Sequence, residues 1–186
     1  MEPDHLERAI SYLRASGVEF DPGLSDEEVV EVESAFGLRF PPDLRALLQA
    51  ALPISEGFPD WRKGSRKDLR ERLGWPVEGV CFDVEHNDLW PEHWGQRPQG
   101  TSDVLLLVRR TLSAAPILVP VYSHRYVPYR PHSSGNPVFS VVQLDIIRYG
   151  RDLSSYLGAE FGSPVPNIPS GPSRHTDLWD RLVLDN

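Results

Sequence analysis

The sequence predicts an α+β fold: a single domain with a central, mainly antiparallel or mixed sheet packed by several helices. Three observations predict it. Apolar residues recur at helical spacing through the first half of the chain, β-branched runs concentrate in the second half, and no internal repeat of 20–50 residues points to a solenoid or propeller. At 186 residues the chain has the length of one well-buried core with a tail. Apolar residues make up 40% and charged residues 25%, near the globular average, and Gly with Pro stays below the roughly 25–30% that marks a disordered chain.

The elements follow in order. Leu6, Ala9, Ile10 and Leu13 share one helical face, and Gly17 is placed to end that helix in a left-handed conformation. Ser25 followed by Glu28 is a capping box, since hydroxyl and carboxylate each satisfy a backbone N–H at the start of a second helix. Val29, Val32 and Phe36 face inward on it and Gly37 stops it. Pro41, Pro42 and Asp43 open a third helix, with Leu44, Leu47 and Leu48 as its buried stripe and Pro53 as its close. Residues 54–61 read as a loop and residues 65–73 as a short basic helix ended by Gly74, after which Trp75 and Pro76 turn the chain. Val77, Val80, Cys81 and Val84 keep helical spacing, although Val80, Phe82 and Val84 also alternate as a strand does; a helix starting near Pro76 is expected. Residues 102–114 form a further helix, on length. Residues 117–123 and 138–143 are β-branched runs that share a sheet, separated by a proline-rich segment holding Ser134, Gly135 and Asn136. Residues 152–161 close the domain as a helix. Residues 162–186 are then a Pro/Gly/Ser-rich linker and a short C-terminal docking helix around Leu178 to Leu184.

Charge and cysteine usage narrow the function. The net charge of −8 repels a phosphate backbone and works against sequence-independent binding to nucleic acid. The single cysteine, Cys81, has apolar neighbours and supports neither an intrachain disulfide nor a cysteine-based zinc site, which fits a reducing, cytoplasmic setting. The first residues carry no export signal, and no apolar run reaches the ~18 residues of a spanning helix. The charges are segregated along the chain. Seven carboxylates fall between Glu19 and Glu33 with no basic residue among them, whereas Arg62, Lys63, Arg66, Lys67, Arg70 and Arg72 cluster later, so two opposite faces are expected.

No glycine-rich phosphate loop and no nucleophile elbow is present. The densest polar group is Asp83, Glu85, His86, Asn87 and Asp88 with Glu92 and His93, a mixture able to hold a divalent metal, but His86 and His93 lie seven apart with Pro91 between them, not at the i, i+4 spacing of a helical metal site. His124, Arg125 and Tyr126, with Tyr129, Arg130 and His132, follow a strand, where a general base, a phosphate clamp or simple capping of a sheet edge are all open readings. Trp61, Trp75, Trp90 and Trp94 fall in one stretch, as partner anchors or as a roof over the core.

Several stretches together resemble the SUKH superfamily, which includes fungal cell-wall-synthesis regulators and bacterial toxin-immunity proteins. They are Leu24-Ser-Asp-Glu-Glu-Val29, Phe36-Gly-Leu-Arg-Phe-Pro-Pro-Asp-Leu-Arg45 and Gly57-Phe-Pro-Asp-Trp61, then Phe82-Asp-Val-Glu-His-Asn-Asp-Leu-Trp90 and Trp94-Gly-Gln-Arg-Pro98. Pro120-Val-Tyr-Ser-His-Arg-Tyr-Val-Pro128, Asn136-Pro-Val-Phe-Ser-Val141 and Asp145-Ile-Ile-Arg-Tyr-Gly150 complete the set. The resemblance covers residues 6–161, within a SUKH-like domain at 1–161. It implies an α+β fold without established catalytic residues and, in bacteria, neutralisation of toxins, often nucleases, by direct binding.

The expectation is therefore a non-enzymatic protein-binding module, with immunity against a bacterial toxin as its leading form and a basic toxin domain such as a nuclease as partner. No cofactor and no metal are expected. Glu27, Glu28 and Glu31 supply a complementary acidic surface, and Trp61, Trp90, His124, Arg125 and Tyr126 the remaining contacts. Two alternatives stay open: a metal-assisted hydrolase or transferase using His86, Asp88 and His93, and a regulatory scaffold.

Overall fold

The computed structural model describes residues 3–162 and 177–184. A four-stranded antiparallel meander lies at its centre: β3 (Leu118–Tyr122), β4 (Arg125–Pro128), β5 (Val138–Val142) and β6 (Asp145–Gly150), in that spatial order. Side chains alternate across a strand, so β3, β4 and β5 feed two cores, whereas β6 feeds one. Val119, Val121, Val127 and Val138 point into the first. That core is covered by α1 (Pro3–Ala15), α2 (Asp26–Phe36), α3 (Pro42–Ala50) and α6 (Leu153–Phe161). Leu118, Tyr126, Phe139, Val141 and Ile146 point the other way, against α4 (Arg66–His86), α5 (Thr101–Ser113) and α7 (Asp177–Leu184). The fold is α+β, as the order of elements predicts, and every strand pairing among the described residues is antiparallel.

The local signals act as read. Ser25 and Glu28 close the capping box of α2, and Gly37 ends it at φ 64°. Gly17 follows α1 at φ 81°. Asp152 caps α6 reciprocally with Ser155. α3 stops at Ala50, because the next three residues leave as β2 (Ala51–Pro53), which pairs with β1 (Phe20–Pro22). Neither of these three-residue strands is visible in the sequence.

The largest departure is α4. Residues 66–86 form one helix of 21 residues that runs through Gly74 and Pro76, where the sequence predicts a break. Proline lacks the N–H that would bond the carbonyl four residues earlier, which is that of Arg72. The Tyr126 hydroxyl takes that place, donating to the Arg72 carbonyl oxygen at 3.1 Å. Two further differences concern the sheet. The proline-rich segment after residue 123 contains β4, and residues 145–150 form β6, which no sequence signal separated from the loop before α6.

The expected linker lies outside the described residues from 163 to 176. The expected docking helix is α7, whose Trp179 and Leu182 are buried in the second core. The Trp179 indole N–H donates to the Pro116 carbonyl at 2.8 Å, and the Arg148 guanidinium meets Asp180 at 2.6 Å.

Candidate functional site

Two hairpin tips meet one helix at the same end of the sheet. Ser123 and His124 form the two-residue loop between β3 and β4, and Gln143 and Leu144 that between β5 and β6. Ser123 (φ 48°) and Gln143 (φ 58°) sit in the left-handed region, which suits tight hairpins but costs a non-glycine residue energy. α4 is fastened to both tips. Arg72 donates to the Ser123 carbonyl at 3.3 Å and also to the carbonyl of Gly57. Gly79 lets the Gln143 backbone approach so closely that a Cβ there would lie 2.9 Å from the Gln143 Cα. Further along, the buried carboxylate of Asp83 accepts from the Leu144 N–H at 2.8 Å and from the Asn87 side-chain amide at 2.6 Å. Asp83, read in the sequence as part of a polar cluster with ligand character, is thus a clasp between helix and hairpin.

Exposed apolar side chains flank these tips on both faces of the sheet. Trp75 (54% exposed) and Phe82 (46%) stand two helical turns apart on α4. His86 stacks on Phe82 with ring centroids 4.5 Å apart. On the opposite face, Val142 (48%), Ile147 (44%) and Tyr149 (38%) project from β5 and β6, the Tyr149 ring edge-on to Tyr156 of α6 at 6.0 Å between centroids. The Arg125 guanidinium lies 3.8 Å from the centre of the Tyr149 ring, a cation–π contact that holds both side chains in place.

A buried polar cluster supports this face. Arg125 donates to the Ser140 hydroxyl at 2.9 Å, and its Nε lies 3.8 Å from Oε2 of Glu160. Arg125 Nε, Glu160 Oε2 and the Tyr156 hydroxyl are buried and have no hydrogen-bond partner among the described residues. Burial, with the Glu160 charge adding to it, pushes the Tyr156 hydroxyl upward from its usual range. Beside them His124 is half-buried, with Nδ1 3.1 Å from the Ser123 hydroxyl. Desolvation, and then the Arg125 charge, lower its pKa and favour the neutral ring. This Ser–His pair of adjacent residues has no carboxylate hydrogen-bonded to its imidazole among the described residues, so the orienting member of a nucleophilic triad is missing there.

The other predicted residues scatter. Arg125 and Tyr126 are buried, Tyr126 to 1%, and burial pushes its hydroxyl up to about 12. Tyr126 repairs α4 and presents no surface to a partner. Trp61 is 4% exposed, packed edge-on against Phe36 and Phe40, and is likewise a core residue. Trp90 is half-buried, donating to the Gly95 carbonyl at 2.7 Å and meeting Trp94 edge-on.

The acidic run and the basic cluster do not form opposite faces. They pair with each other. Glu28 takes a two-point contact from Arg62, with Nε to Oε1 at 2.5 Å and the second nitrogen to Oε2 at 2.9 Å. That contact, together with the Ser25 N–H, holds the Glu28 carboxyl down at about 2. Lys63 meets Asp21 at 2.8 Å and Arg66 meets Glu31 at 3.5 Å. Glu27 and Glu31 remain on the open side of α2 beside the exposed Val30.

The His86, Asp88 and His93 group does not converge. Asp88 pairs with Arg97, and His86 Nδ1 lies 3.1 Å from the Phe82 carbonyl. No three His, Cys, Asp or Glu side chains among the described residues gather at metal-binding distance.

Sequence reasoning missed Ile147, Tyr149 and Glu160. The first two become legible once residues 145–150 are taken as a strand, because alternation then puts both on one face with Val142. Glu160 carries no local signal, since its partner is 35 residues away. Comparison with protein-family models, with curated proteins and with solved structures finds no match to this chain, so the likeness to the SUKH superfamily rests on the motifs quoted above.

Proposed function

We propose that this chain is a non-enzymatic protein-binding module, and specifically an immunity protein that neutralises a bacterial toxin domain by direct contact through the hairpin-tip surface. The observation that carries the proposal is the set of apolar and aromatic side chains left exposed around the tips and along the outer edge strand β6: Trp75, Phe82, Val142, Ile147 and Tyr149. Partner-binding centres are rich in Trp, Tyr and Arg held rigidly in place, and here Tyr149 is fixed by Arg125 while α4 is fastened at three points to the tips. Toxin neutralisation is what the SUKH-like motifs imply.

The test is capture of the tagged chain from its native cells in parallel with an Ile147→Ser/Tyr149→Ser variant, with bound proteins identified by mass spectrometry. A single enriched protein that arrests growth when expressed alone, and is silenced by the wild-type chain but not by the variant, is the expected result. Equal capture and equal protection by the variant would remove the hairpin-tip surface from the account, and a captured protein without toxicity would remove immunity.

A further inference from the structure

The end of the sheet opposite the hairpin tips carries a second feature, a cleft of about 640 Å³ between the end of α2 and the loop that joins β4 to β5. Val30, Glu33, Arg39, Tyr129, Arg130 and His132 line it. The loop is held firmly against the α2–α3 connection. The His132 ring lies 3.2 Å from the Phe40 carbonyl, the Gly135 N–H donates to the buried Asp43 carboxylate at 3.0 Å, and the buried Asn136 amide donates to the carbonyls of Pro128 and Pro131, each at 2.9 Å. These bonds make both walls of the cleft fixed structure.

The charges in the cleft do not cancel. Arg39 and Arg130 are exposed and neither has an ion-pair partner among the described residues. Arg130 is positioned 4.9 Å over the Tyr129 ring. The carboxylate that lines the cleft, Glu33, is engaged by the Phe40 N–H at 2.9 Å, and Glu27 and Glu31 stand further along α2 on the neighbouring surface. In a chain of net charge −8, which pairs Arg45, Arg62, Arg66, Arg97 and Arg109 with carboxylates of its own, Arg39 and Arg130 stand without one among the described residues and line the same cleft. A guanidinium presents a planar fork that fits a carboxylate. The cleft also offers Val30, Leu38 and Tyr129 as apolar lining, and its volume is far larger than an inorganic oxyanion fills.

We propose that this cleft binds an acidic peptide segment of a partner protein, with Arg39 and Arg130 taking its carboxylates and Tyr129 and Val30 an apolar side chain between them. The site is separate from the hairpin tips, so its success or failure is independent of the function proposed above.

The test is fluorescence anisotropy of a labelled hexapeptide of glutamates and leucines titrated with the full chain, beside a peptide in which lysines replace the glutamates. Saturable binding of the acidic peptide alone is expected, weakened about tenfold by Arg39→Ala and by Arg130→Ala, the equivalent of one charge-assisted contact each. Arg110→Ala, an exposed arginine on α5, serves as the charge-matched control and should leave binding unchanged; circular dichroism confirms that each variant folds. Absence of saturable binding, binding by both cleft variants as tight as by the wild type, or displacement of the peptide by an equal concentration of inorganic phosphate would overturn the proposal, the last in favour of a simple oxyanion site.

Discussion

Replacing Tyr126 by Phe should destabilise the protein through a bond that belongs to a helix on another element. Pro76 deprives α4 of one N–H, and the Tyr126 hydroxyl supplies the donor to the Arg72 carbonyl instead. Removing the hydroxyl loses a hydrogen bond and leaves that carbonyl without its partner, a cost of about 2 kcal/mol. With an m-value of about 2 kcal/mol/M, the urea midpoint should fall by about 1 M. The decisive form is a double-mutant cycle with Pro76→Ala. Alanine restores the backbone N–H and the helical bond to Arg72, so in that background Tyr126→Phe should cost little, giving a coupling of about 1 kcal/mol or more. The net effect of Pro76→Ala alone combines a gain in helix propensity with a small loss of buried volume and does not decide the matter. Equal losses from Tyr126→Phe in both backgrounds would refute the repair of the helix by Tyr126.

Three further outcomes are expected. Gly74→Ala should stabilise by about 0.5–1 kcal/mol, because a Cβ there meets nothing within 4 Å and alanine is the better helix former, whereas Gly79→Ala should destabilise by about 1–3 kcal/mol through its clash with the Gln143 backbone; urea unfolding of both variants checks the continuity of α4. Trp179→Ala should cost about 3–5 kcal/mol and lower Tm by about 10 °C in a thermal melt, since it empties a buried site in the second core and leaves the Pro116 carbonyl without its donor; a loss below about 1 kcal/mol would mean that α7 contributes little to stability. Glu28 is held at about 2, below its ordinary 4.5, so its contribution is present above about pH 4.5 and is lost as pH falls towards 2; the difference in Tm between wild type and Glu28→Gln should accordingly shrink over that window and stay flat above it.

The helices were legible where a local signal sufficed. Ser25 with Glu28, the glycines at 17 and 37, and the leucine stripe of α3 act within a few residues of themselves and need no tertiary context. α4 was misread because Gly74 and Pro76 are local breakers whose effect is offset from outside, by the packing of the helix on the hairpins and by a hydroxyl 50 residues further along the chain. β1 and β2 escaped for a similar reason, since Phe20 pairs with Pro53 across the length of two helices and three residues carry no periodicity. The site was legible only in part. His124 and Arg125 do lie at the hairpin tips, but the partners of Arg125, namely Glu160, Ser140 and Tyr149, come from α6, β5 and β6. The acidic run from Glu19 to Glu33 looks like a surface for a partner because the sequence shows its charge without showing that Arg62, Lys63 and Arg66 fold back onto Glu28, Asp21 and Glu31.

The most direct measurement of the central claim is hydrogen–deuterium exchange of the chain alone and in complex with the protein it captures. Binding through the hairpin-tip surface predicts slowed exchange in residues 123–125 and 142–149 and in the α4 segment around Trp75 to Phe82, with the α2 amides unchanged. Protection confined to α2, with the hairpin tips exchanging as in the free chain, would contradict it.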